Sequence, residues 1–188
     1  MTQVDEIRQP LYDSIVLDAG ASAPGIRRFF QTTTVGAGIP KSLAQTNLEQ
    51  PGSLPTATSF RIQGLTIDAD NISDANIDFL PLFLRKSSIS LQVGVKNYLN
   101  APLRFAAGRM QNMYGGPVNY QQYGWASVQP IVLQGKHVVD VNPLQNFQVV
   151  WATAAQDLTV PEAALVVAPD TDLVFVASLK GLLRRPVQ

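Results

Sequence analysis

The sequence predicts an all-β protein: a single jelly-roll β-sandwich or barrel of about eight strands, with at most one short helix and two long loops. Three observations predict it. Over residues 87–96, Ile89, Leu91, Val93 and Val95 fall on one parity while Ser88, Ser90, Gln92 and Gly94 fall on the other. Successive strand side chains point to opposite faces, so this segment has one dry side and one wet side. Further short apolar alternations recur along the chain, separated by turn residues such as Gln134-Gly135, Asn142-Pro143 and Pro169-Asp170. Helical periodicity is almost absent. One-sided strands belong to antiparallel sheets, whose dry face must lie against a second sheet.

Taken in order, residues 1–10 are polar and end at Pro10, which reads as a flexible arm. Residues 12–17 make a short strand stopped by Asp18-Ala19-Gly20, and residues 25–31 make another, with Phe29 and Phe30 beside Arg27 and Arg28. Residues 32–58 are rich in Gly, Pro, Ser and Thr, a loop long enough to suggest contact outside the domain. In residues 59–68, Phe60 and Ile62 share one parity, and Leu65 and Ile67 take the other. A bulge at Gly64 would bring all four to one face.

Residues 70–86 begin like a helix capped by Ser73 or Asp70, and Pro81 keeps it short. After Val95, residues 97–102 read as a turn, followed by the short apolar run Leu103-Arg104-Phe105-Ala106-Ala107. Residues 110–125 form the second long loop. Strand patterns return at 128–133, 137–141 and 147–151, weakly at 164–168, and finally at 172–182, where Leu173, Phe175, Ala177 and Leu179 alternate. Ile89, Leu91, Val93 and Val95 are expected to share a core with Phe147, Val149, Trp151, Leu173, Phe175 and Leu179. No internal repeat is visible, and residues 1–188 read as one domain.

Composition narrows the function. The chain of 188 residues is 46% hydrophobic and 15% charged, the balance of a packed globular protein. Fourteen basic and 14 acidic residues give no net charge, so direct binding to nucleic acid is not expected. Cysteine is absent, which excludes disulfides and thiolate metal sites. The first residues lack a signal-peptide layout, and no apolar run approaches the roughly 20 residues of a spanning helix, so a soluble product is expected.

The sequence offers few reactive constellations. The one histidine, His137, sides on strand parity with Val139 and Val141, away from Asp140, and no nucleophile elbow accompanies it. One histidine also falls short of the ligand set of a metal cupin. Gly36-Ala37-Gly38-Ile39-Pro40-Lys41-Ser42 resembles a phosphate loop, but Pro40 stands where a glycine N–H is needed, so a plain loop is expected. Asp68, Asp70, Asp74 and Asp78 cluster without calcium-loop spacing, since Ile72 occupies a ligand position; they read as a helix start and a solvated loop. The expectation is a non-enzyme with no cofactor and no metal.

The loop at 110–125 has the most unusual composition, with Tyr114, Tyr120, Tyr123 and Trp125 among Gly, Asn and Gln. Stiff aromatic area beside adaptable amides is typical of interfaces, so these four are the candidate contact residues. Aromatic faces also stack on sugar rings. A carbohydrate-binding jelly-roll module of a fibre or spike is therefore the alternative.

The layout resembles the capsid proteins of tailless icosahedral bacteriophages built on single jelly rolls, the sphaerolipovirus group in particular. The residues that carry the resemblance are Lys41-Ser42-Leu43-Ala44-Gln45-Thr46-Asn47-Leu48, then Gly52-Ser53-Leu54-Pro55 and Phe60-Arg61-Ile62. Asn146-Phe147-Gln148-Val149 and the closing Gly181-Leu182-Leu183-Arg184-Arg185-Pro186-Val187-Gln188 complete it. It spans most of residues 40–188. It implies a structural virion protein, assembled in the host cytoplasm, that self-associates and contacts other capsid proteins. An internal viral membrane would lie nearby. The family has no catalytic residues to carry over.

Overall fold

The computed structural model describes residues 4–20, 25–35, 39–70, 86–106, 131–133, 135–153 and 172–186. Within them, β1 (Val4–Arg8), β2 (Leu11–Leu17), β6 (Ser59–Asp70), β9 (Ile131–Val132), β10 (Val139–Val141) and β12 (Leu173–Pro186) build one antiparallel sheet. The second sheet contains β3 (Gly25–Phe29), β7 (Ser87–Val93), β8 (Lys96–Pro102) and β11 (Phe147–Thr153). A two-stranded ribbon, β4 (Thr34–Val35) with β5 (Ile39–Pro40), stands apart in the long loop.

The strand order defines the architecture. In the first sheet β2 pairs β12, β12 pairs β6, and β6 pairs β10; in the second the order is β3-β11-β7-β8. If β2, β3, β6, β7, β8, β10, β11 and β12 are counted in chain order, the sheets read 1-8-3-6 and 2-7-4-5. Two interleaved Greek keys of this kind make a jelly roll.

The alternation seen in the sequence buries one face of each sheet. Ile89, Leu91 and Val93 are buried on β7, opposite Trp151, Val149 and Phe147 of β11. Leu173, Phe175, Ala177 and Leu179 are fully buried on β12. Aromatic rings join the layers: Trp151 stacks on Phe29 at 6.2 Å between centroids and meets Phe175 of the other sheet edge-on at 4.5 Å. Burying an apolar side chain of this size stabilises the fold by about 1.5–3 kcal/mol. The bulge forms where expected. Lys180 pairs Gly64 and Gly181 pairs Ile62, so Gln63 is the extra residue. Phe60, Ile62, Leu65 and Ile67 all reach the core, none more than 1% exposed.

Several expectations are corrected. Residues 4–8 are not a loose arm, because β1 pairs β12 from Val4↔Pro186 to Arg8↔Leu182. Its own residues are mostly exposed, and the strand is held by register and by its partner's charges, with Arg184 3.1 Å from Glu6 and Arg185 3.9 Å from Asp5. Val95 does not join the core; it is fully exposed in a two-residue hairpin loop behind Gly94, whose φ is +59°. Glycine with positive φ at the first central position is the preference of a tight hairpin turn. The residues read as a turn, 97–102, are the returning edge strand β8. His137 sits exposed in a 3₁₀ turn, Gly135–His137, that starts from φ +60° at Gly135.

The long loop 32–58 is a loop over most of its described length, yet it packs on its own sandwich, burying Leu48 and Leu54. Leu103–Ala106 forms a single helical turn. The helix expected after residue 70, the strand at 164–168 and the loop at 110–125 lie outside the described residues.

Candidate functional site

Asp13 sits on the inward parity of β2 with Leu11 and Leu17, and it is fully buried. A carboxylate there needs partners, because an uncompensated buried charge is strongly unfavourable. It has them. The Phe30 N–H donates to Oδ2 at 2.6 Å, and Lys41 Nζ donates to Oδ1 at 2.8 Å. Lys41 Nζ also donates to the Ser14 carbonyl at 2.8 Å, with 5% of its side chain exposed. The contact with Asp13 holds Phe30 at φ +69°, a left-handed conformation that a bulky residue rarely adopts. Next to this pair the loop is stitched to β2: Thr46 Oγ1 donates to the Tyr12 carbonyl, the Tyr12 N–H to Asn47 Oδ1, and Asn47 Nδ2 to the Pro10 carbonyl. The arrangement fastens a loop; its charged groups are engaged with one another and with backbone.

Of the residues singled out in the sequence, only some are described. Tyr114, Tyr120, Tyr123 and Trp125 lie outside the described residues, as do Asp74 and Asp78. Asp68 and Asp70 end β6, and Asp68 Oδ1 accepts from the Ala69 N–H at 2.9 Å. Among the described residues no three His, Asp or Glu side chains gather as metal ligands would. Asp140 is engaged by Arg61, whose Nε donates to it at 2.8 Å; that hydrogen bond and charge raise the Arg61 pKa. Lys41, the lysine of the phosphate-loop look-alike, is turned inward to Asp13.

Arg27, Arg28, Arg184 and Arg185 do not converge on one basic surface. Arg27 and Arg28 are on β3 of the second sheet, whereas Arg184 and Arg185 are on β12 of the first. Arg27 sits opposite Trp151, and burial lowers its pKa from the ordinary guanidinium value.

The two outward faces differ in chemistry. The first sheet carries ion pairs, Arg61–Asp140 and Arg184–Glu6. The second carries rows of small and amide side chains. Arg28, Val150, Ser90 and Asn100 are in register across four strands, and so are Ile26, Ala152, Ser88 and Pro102. Gln148 Nε2 donates to Gln92 Oε1 at 2.6 Å in the neighbouring row. Arg28 is the one charged side chain in these rows. A nearly neutral sheet face desolvates at little electrostatic cost, which is what a protein contact requires.

The wet parity of β7 signalled this face in the sequence, but the rows need the strand order, which sequence reasoning lacked. No described helix is long and apolar enough to cross a membrane. A scan against models of known protein families finds no match, and searches of curated proteins and of solved structures find none either.

Proposed function

We propose that this chain is a structural virion protein, a capsid subunit that assembles an icosahedral phage shell by contacts with copies of itself and with other capsid proteins. The observation that supports the reading best is the strand order 1-8-3-6 and 2-7-4-5, the jelly-roll arrangement that recurs in viral capsid domains. That arrangement is also found in lectins and cupins, so the fold alone is an analogy, and site chemistry has to weigh in. Here the nearly neutral outer face of the second sheet suits lateral packing of subunits, and the Asp13–Lys41 clasp keeps a long loop in one shape for a lattice contact. The tyrosine-rich loop, with Tyr114, Tyr120, Tyr123 and Trp125, supplies further contact area.

Sedimentation velocity tests the reading on the parent chain, on a variant with Ser90→Lys and Val150→Lys, and on one with Tyr114, Tyr120 and Tyr123 changed to Ser. The parent, alone or with co-purifying shell proteins, is expected to associate as concentration rises, and each variant to associate less while melting like the parent. A parent that stays monomeric under both conditions overturns the proposal. Tight binding of one glycan, lost in the tyrosine variant, would favour a carbohydrate-binding module instead.

A further inference from the structure

Strand β12 runs through the first sheet with a neighbour on each side; at one level it loses the neighbour on one side and meets a bulge on the other. Leu179 pairs Leu11 and Leu182 pairs Arg8, so Lys180 and Gly181 face the break at Gln9 and Pro10 between β2 and β1. At the same level the bulge on β6 leaves Gln63 unpaired in the β12 ladder. Beyond β6, Leu133 N–H donates to the Gln63 carbonyl at 2.8 Å, and the chain then rises through the Gly135–His137 turn before returning as β10. The coincident interruptions open a cleft of about 800 Å³. Pockets for small molecules commonly span about 300–1,000 Å³.

The lining is two-sided in its chemistry. Arg8, Lys180 and Gln63 supply polar groups, and Val132, Leu133 and Val138 supply an apolar wall; none of its described lining residues is acidic. Val132 is 55% exposed, an apolar side chain left open on the wall of a cleft. Arg8 lies opposite Leu182, two residues from Lys180, which makes the two cations diagonal neighbours at roughly 7–8 Å between backbones. The other cations of these strands are matched: Arg61 to Asp140, Arg184 to Glu6, and Arg185 to Asp5. Arg8 and Lys180 have no such counter-charge among the described residues, and both line the cleft.

We infer that this cleft binds a small anionic amphiphile, its anionic head between Arg8 and Lys180 and its apolar arm against Val132, Leu133 and Val138. Two cations fit one compact anion. A polyanion such as nucleic acid would need a track of them. The cations are exposed, so binding weakens as salt screens them. The inference stands apart from the proposed shell role.

Calorimetric or NMR titration of the whole chain with decanoate and with decyl phosphate, below their micelle concentrations, tests it. Acetate and inorganic phosphate serve as heads without an arm, and decanol as an arm without a head. At least one of the two amphiphiles is expected to bind saturably at one site, and the tighter of them identifies the head as carboxylate or phosphate. The R8Q/K180Q double variant, altered only at exposed side chains, should lose about tenfold or more in affinity, a change of about 1.4 kcal/mol. Val132→Ser, on a different strand, should also weaken binding and keeps the test decisive if the double variant does not fold. Absence of saturable binding by either amphiphile overturns the inference. So does equal affinity in parent and variants, or binding of acetate or phosphate as tight as that of the longer molecules.

Discussion

Asp13 and Lys41 form a buried ion pair whose ends also meet the Phe30 N–H and the Ser14 carbonyl. Removing one partner of such a pair typically costs about 3–5 kcal/mol, because the other charge is stranded. Lys41→Met and Asp13→Asn should each lower stability by that order in denaturant unfolding. The double variant should lose less than the sum, which is the signature of direct coupling. Should Lys41→Met unfold like the parent, the clasp contributes nothing. Asp13 was passed over in the sequence, although an acid sharing the parity of Leu17 is a signal that it demands a partner. That the partner is Lys41, 28 positions away in a loop, depends on the path of the chain and left no local trace.

Among the elements, β7 and β11 were legible because their inward positions are Ile, Leu, Val, Phe and Trp, apart from the hydroxyl pair Ser87 and Thr153 at one end. Truncating Leu91 to Ala should cost about 2–5 kcal/mol, whereas Gln92→Ala on the outward face should be close to neutral. Thermal or chemical unfolding of the two variants checks it, and the reverse order would mean that the sheet is inverted. The bulge was legible too, since only an extra residue beside Gly64 reconciles Ile62 with Leu65. Two strands were not. β8 contains Asn97, Asn100 and Pro102, which read locally as turn but are tolerated on an edge strand, where pairing with β7 decides. β1 has little apolar pattern, and the acids that fix it answer arginines some 178 residues further on.

For the molecule as a whole, alternation and turn spacing predict strands, and strands without helices predict a sandwich. The order 1-8-3-6 is set by which strands meet at long range, which a single sequence only hints at. The neutral face of the second sheet was half visible, as the wet side of β7, while the contact residues proposed from composition lie outside the described residues. Charge is dispersed over both sheets, and three arginines of the first are paired with acids. Binding to duplex DNA should therefore be weak and should vanish near physiological salt, with a shallow dependence on ionic strength. A titration at several salt concentrations that returned tight binding and a steep slope would reveal a basic surface where the described residues give none.

The last described strand in sequence order is also an interior strand of its sheet. β12 lies between β2 and β6 and reaches β1, so its partners come from residues 4–17 and 59–70. During synthesis β2 and β6 therefore lack the strand that joins them until β12 has emerged. The sheet cannot close before β12 is available, and closing contacts this far apart in sequence takes on the order of milliseconds to seconds in sheet-rich domains. The nascent chain is thus a client for whatever shields apolar strands during synthesis. A chain stopped at residue 171 should be digested rapidly by protease and show no cooperative melt. A compact, protease-resistant fragment of that length would mean that the sheet can close without its centre.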